Sequence, residues 1–202
     1  MTTRGFFGRK RPEGDAGRTP PGQYLTKDFP VLSAGPTPRV ALDRWSFTLE
    51  HHGKLLGKWS WEELLALPRT KITVDIHCVT KWSKLDTVWE GVSFDALLAA
   101  AKLDAPGTHV MAWSDGGYTT NVPVADLTGG KGMVAFRYGD APLDPEHGGP
   151  ARLLVPHLYF WKSAKWVRGL RFLDQDEPGF WEMNGYHMYA DPWREQRYTG
   201  DP

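Results

Sequence analysis

The chain has one cysteine in 202 residues. An intrachain disulfide is therefore impossible, and no Cys-x-x-Cys pair exists for a zinc ribbon or a dithiol redox couple. An excess of one charge is also lacking. Lys+Arg and Asp+Glu number 24 each, for a formal net charge of zero. Duplex-binding modules show a basic excess, so no nucleic-acid partner is expected. No stretch approaches the ~20 apolar residues that a membrane helix needs, so no membrane span is expected. Arg4, Arg9, Lys10, Arg11 and Arg18 are followed by no apolar run, which argues against an export signal and predicts a cytoplasmic location. The His-Glu-x-x-His, Gly-x-Ser-x-Gly and Gly-x-x-x-x-Gly-Lys-Ser/Thr signatures are all missing, and each is the mark of a different chemistry. His51 and His52 stand side by side outside any such pattern, so no zinc site is predicted.

Hydrophobic residues make up 41% of the chain and include ten tryptophans. That suffices for a sizeable core and excludes disorder over most of the length. Residues 1–23, rich in Gly, Pro and Arg, read as a flexible arm. Phe29 to Pro38 reads as an extended lead-in, because each proline disfavours helix in the residue before it. Ser60 and Glu63 form a capping-box signature for a helix over residues 61–66, ended by Pro68. Ser93 caps a second helix over 94–103, with Phe94, Leu97, Leu98 and Ala101 on one face. Strands are predicted at 45–50, 72–79, 108–113, 118–122, 133–138, 152–155 and 166–173. The class is mixed α+β, with strands dominating. The aromatic tail, residues 176–202, has neither helix nor strand period. It reads as an irregular arm packed on the domain, or alternatively as a surface for a partner.

Chemistry concentrates around the cysteine. Ile72, Val74 and Ile76 alternate with polar residues in a period-2 pattern. Successive strand side chains point to opposite faces, so His77 and Cys78 are not expected to hold one ion together. A lone cysteine taken by itself reads as a small buried hydrophobe. Here it stands where a strand opens into Thr80-Lys81-Trp82-Ser83, and strand ends are common supports for functional groups. Trp82 and Trp89 read as packing under that loop, and Lys162 and Arg168 as solvated strand residues.

The string His77-Cys78-Val79-Thr80-Lys81-Trp82-Ser83, followed by Trp89-Glu90-Gly91-Val92-Ser93-Phe94, resembles the molybdenum-cofactor domain of the sulfite oxidase family. Gly148-Gly149-Pro150-Ala151-Arg152-Leu153-Leu154-Val155-Pro156 and Lys162-Ser163-Ala164-Lys165-Trp166-Val167 extend the likeness. It covers about residues 24–175. The tail from Gly185 to Tyr198 is similar to a compact bacterial subgroup related to the periplasmic methionine sulfoxide reductase. The resemblance implies the strand-rich molybdopterin-binding fold of that family over 24–175. It also implies a molybdenum–molybdopterin cofactor, with Cys78 as metal ligand and catalytic centre. Phe29, Val31 and Leu32 would meet the cofactor mainly through backbone; Ser114, His147, Arg152, Ser163, Ala164 and Lys165 would complete its site. The implied activity is two-electron oxygen-atom transfer. Few arginines are left over to hold a dianion, which favours a small S-oxide or N-oxide over sulfite or another small oxyanion. Electrons would be exchanged with a separate electron-transfer protein, and no immunoglobulin-like dimerisation domain is expected. A cofactor-binding or electron-transfer protein without turnover, or an interaction module that keeps only the fold, are the readings of another class.

Overall fold

The computed structural model describes residues 17–202. Two sheets organise them. The first contains β1 (Tyr24–Leu25), β4 (Thr70–His77), β5 (Trp82–Ser93), β8 (Met133–Tyr138), β9 (Ala141–Pro142) and β10 (Arg152–Leu154). The long β5 is its spine: β4 runs antiparallel along one edge, while β1 and β8 take the two ends of the other. The second sheet has the order β3 (Lys54–Ser60), β2 (Ser46–His51), β11 (Val167–Leu173), β6 (His109–Ser114), β7 (Thr119–Pro123). Three short helices, α1 (Trp61–Ala66), α2 (Phe94–Ala101) and α3 (Phe180–Met183), complete the α+β fold.

Both caps act as the sequence predicts. Ser60 Oγ accepts from the Glu63 amide while the Glu63 carboxylate accepts from the Ser60 amide. Ser93 Oγ accepts from the Ala96 amide at 3.1 Å. Helix α2 then buries Phe94, Leu97 and Leu98, each burial contributing about 1.5–3 kcal/mol. Strands β3 and β5 escape the sequence pattern. In β5 the alternation is broken at Asp86, which has φ +55°.

Strand alternation divides the core. Val92, Val134, Phe136 and Leu153 face the second sheet and pack with Phe47, Leu49, Val110, Leu170 and Phe172. Trp89, Met133, Ala135 and Leu154 face the other way and pack with Ile76, Cys78, Trp82 and Phe160. Arg152, two residues before Leu154, shares that second face and lies over the Trp89 and Phe160 rings.

Of the expected N-terminal arm, residues 1–16 lie outside the described residues. Arg18 pairs with Asp75 and Asp86, and Thr19 is buried. The tail lies against the domain through Lys162–Glu182 and through Arg197, whose Nη1 donates to the Val79 carbonyl at 2.9 Å. Among the described residues no helix is long and apolar enough to cross a membrane.

Candidate functional site

Cys78 follows directly on β4, and only four residues separate that strand from β5. Both of its backbone groups are held. Its amide donates to the Trp82 carbonyl at 2.8 Å, and its carbonyl accepts from Lys81 N at 2.9 Å and Gln23 Nε2 at 3.0 Å. Cys78 is 7% exposed, and its sulfur accepts from Thr80 Oγ1 at 3.1 Å. Burial pushes the thiol pKa up; the Thr80 bond and the Arg197 charge pull the other way. His77 is turned elsewhere, with Nδ1 2.8 Å from Ser83 Oγ. Burial lowers its pKa to about 4, so the ring is neutral.

Cys78 opens on a cavity of about 590 Å³. Of the residues singled out in the sequence, Phe29, Leu32, Cys78, His147, Arg152, Ser163, Ala164 and Lys165 line it. Two do not. Val31 is 47% exposed on the lead-in, away from the lining. Ser114 is buried at the end of β6, one residue before the lining turn Asp115-Gly116-Gly117. The Phe29 side chain takes part as well as its backbone, its ring stacking on His147 with centroids 3.8 Å apart.

The inner end is cationic. Arg152 is 1% exposed and, among the described residues, has no carboxylate partner. Its Nη1 donates to the His147 carbonyl and its Nη2 to the Ser163 carbonyl, both at 2.7 Å. The fork thus fixes the two loops that line the cavity. Its Nε, like His147 Nδ1 and Ser114 Oγ, is buried without a partner among the described residues. Burial works against the guanidinium, yet arginine starts so high that it stays charged. Lys165 is less deeply placed, with Nζ 2.6 Å from the Glu146 carbonyl. Burial first, then repulsion from Arg152, lowers its pKa to about 8. A thiolate at Cys78 favours the charged form of both cations. Gly148, with φ +109°, lets the two approach: a Cβ there would stand 3.0 Å from Lys165 Cα and 3.1 Å from Arg152 Cβ.

The remaining walls are aromatic and apolar. Tyr118, Phe160, Trp161, Phe180, Trp181 and Tyr186 line them. The last three come from the C-terminal tail, and no local pattern tied them to the site. Thr80 and the Asp115–Gly117 turn were also missed, though a loop of Ser-Asp-Gly-Gly is a signal for exposed backbone. Trp89 is pure packing at 0% exposure, whereas Trp82 both packs and lines the cavity. Lys162 corrects the sequence reading: it is fully buried and paired with Glu182. Arg168 is half-buried and bonded to Asp115 and the Ser46 carbonyl.

A buried cation without a carboxylate counter-ion among the described residues, a second cation beside it and a sulfur at the same cavity fit an anionic, sulfur-bound group. The comparisons agree. Residues 34–181 match the oxidoreductase molybdopterin binding domain. The chain belongs to that family. It is 44% identical to the uncharacterized oxidoreductase YuiH of Bacillus subtilis, over 97% of this chain and all of that protein. It is 27% identical to the "putative protein-methionine-sulfoxide reductase subunit YedZ1" of Azospira oryzae, over 84% of this chain and 66% of that one. The sulfane dehydrogenase SoxCD of Paracoccus pantotrophus shares the fold with a TM-score of 0.60 at 23% identity, over 69% of this chain and 40% of that one. The molecule is thus a molybdopterin-binding oxidoreductase of the sulfite oxidase family, with the strand-rich fold expected from its sequence.

Proposed function

We propose that this oxidoreductase uses a molybdenum–molybdopterin cofactor to reduce a small, neutral S-oxide or N-oxide. When bound, the cofactor supplies a two-electron couple through which one oxygen atom is exchanged with substrate. Cys78 would ligate the metal through a thiolate, a soft donor suited to such a centre. Lys165 would meet the anionic end of the pterin as a point charge. Arg152 would act at the inner end of the cavity, as a fixed positive charge that also holds the His147 and Ser163 carbonyls. The Phe29–His147 stack would flank the group.

The observation that carries the substrate class is where the other arginines go. Arg137 bonds the Asp140 carbonyl and pairs with Glu90; Arg168 pairs with Asp115; Arg171 pairs with Glu177. None of these three lines the cavity. Among the described residues, a dianion brought among Trp161, Trp181, Phe180 and Tyr186 would lose its hydration without any of these three arginines in exchange, and an uncompensated charge costs several kcal/mol. A neutral S-oxide or N-oxide carries no such penalty. A separate protein would deliver the electrons, in keeping with a relative named as a subunit.

The test uses protein purified from a host that makes the cofactor. We expect about one molybdenum per chain, and about tenfold or greater preference in kcat/KM for dimethyl sulfoxide or trimethylamine N-oxide, with a reduced viologen, over sulfite with ferricyanide. Cys78→Ser should stay folded and lose the turnover. Faster sulfite oxidation reverses the direction proposed; folded wild-type protein without molybdenum makes the chain a module that keeps only the fold.

A further inference from the structure

The hairpin between β2 and β3 turns on His52 and Gly53, with φ +49° and +73°. Two successive positive values define the tight turn that suits a right-twisted hairpin, and Asn-Gly fills it most cheaply. Here a histidine holds the first position. Along a continuing strand, residues 51 and 52 would point to opposite faces. The left-handed turn instead brings both rings to one side, with centroids 4.0 Å apart. Asp174, just past the end of β11, meets them both. Its Oδ1 lies 3.0 Å from His51 Nε2 and its Oδ2 3.0 Å from His52 Nε2. The three donor atoms fall within 4.8 Å of one another.

We propose that His51, His52 and Asp174 form a binding site for a divalent transition-metal cation of the zinc class. Imidazole and carboxylate suit such ions. A tetrahedral zinc with bonds of ~2.0–2.1 Å sets its donor atoms about 3.3 Å apart, and each imidazole nitrogen already lies 3.0 Å from a carboxylate oxygen of Asp174. His51 is the more sheltered ligand, at 20% side-chain exposure against 70% for His52. The open side supplies water as the remaining ligand. The site belongs to the second sheet and shares no residue with the Cys78 cavity. It would tie the β2–β3 turn to the segment through which β11 continues into the C-terminal tail, whose Phe180, Trp181 and Tyr186 wall that cavity.

The test titrates Zn²⁺ into the full chain with its cofactor bound, and Cu²⁺ in a parallel sample for paramagnetic resonance. We expect one equivalent of Zn²⁺ bound, a thermal midpoint that rises with its concentration, and a Cu²⁺ signal with two nitrogen couplings. His52→Asn keeps a residue that the turn accepts, and Asp174→Asn keeps the shape of the third ligand. Each should weaken Zn²⁺ binding by at least about tenfold with a metal-free thermal midpoint near that of the wild type. Wild-type protein that takes up no Zn²⁺, or binding unchanged in either variant, overturns the site.

Discussion

The Lys162 ammonium and the Glu182 carboxylate meet at 2.7 Å with neither side chain exposed to solvent. The same Glu182 oxygen accepts from Trp161 Nε1 and Thr120 Oγ1, both at 2.9 Å. Lys162 also donates to the Asn121 side chain and to the carbonyls of Asn121 and Met188. Glu182 belongs to α3 in the tail, and Trp161 lines the cavity, so the pair fastens the tail to the cavity wall. Removing one member leaves the other buried and unpaired, which costs about 3–5 kcal/mol. Lys162→Met and Glu182→Leu should each lower urea stability by that amount. The double variant should lose less than the sum of the two. Strict additivity in a double-mutant cycle would mean that the two charges do not depend on each other.

Lys165 predicts a pH dependence for the cofactor-free protein. Its folded pKa of about 8 lies below the value near 10.4 of an unfolded lysine. Between these values the unfolded chain holds more protons than the folded one, so stability rises with pH across that window. Below pH 8 the penalty is present in full. Thermal midpoints at pH 7.5 and 9.5, compared between wild type and Lys165→Met, isolate the contribution. The wild type should gain on the variant as pH rises. In the loaded protein an anion beside the ammonium favours its charged form, and the gain should vanish. A wild type that loses ground to the variant between these pH values would contradict the burial of this lysine.

Gly148 lies where the Lys165 and Arg152 segments pack closely together. Its φ of +109° is one that a side chain rarely adopts. A Cβ would also press on the Lys165 backbone and the Arg152 side chain. Gly148→Ala should cost about 1–3 kcal/mol in stability and reduce the molybdenum-to-protein ratio in what remains folded. Gly139 also has positive φ, +58°, but a Cβ there meets nothing. Gly139→Ala therefore pays only the backbone penalty and should keep full metal occupancy. Equal metal ratios in the two variants would show that the close approach at Gly148 is irrelevant to the cofactor.

Local signals carried much of the fold. The Ser60 and Ser93 caps, the Pro68 stop and the alternation through Ile76 need only a few neighbouring residues, and helices α1 and α2 start where those caps place them. β5 did not stand out, because Lys84 and Asp86 interrupt the apolar pattern and Asp86 leaves the extended region altogether. What holds Asp86 is distant: Arg18 binds it together with Asp75. Lys162 was misread for the same reason, since its partners lie at Asn121, Glu182 and Met188. Within the site, Cys78, Arg152 and Lys165 stood out through the family motifs that carry them, since by kind alone the cysteine reads as a buried hydrophobe and the two cations as surface charges. The aromatic wall from the tail did not stand out, because Phe180, Trp181 and Tyr186 reach the cavity only through the packing of a non-periodic segment.

Arg152 separates a structural from a cofactor-binding role. Arg152→Met keeps an unbranched stem against Phe160, whose ring the guanidinium covers at 4.0 Å. It leaves the His147 and Ser163 carbonyls unpaired, at about 1–3 kcal/mol. It also removes a buried charge that has no carboxylate partner among the described residues, and the relief offsets part of that loss. The cofactor-free variant should therefore melt close to the wild type. Cofactor retention should fall by at least about tenfold, because truncating one side of a buried charge contact costs about 2–5 kcal/mol. Arg152→Lys restores the charge without the planar fork, and a lysine holds only part of what the fork bonds. Its retention should lie between the two. A Met variant that melts far below the wild type yet keeps its molybdenum whenever folded would reduce Arg152 to a brace between two loops. A variant that folds normally and emerges empty would identify its charge as the part that the pterin requires.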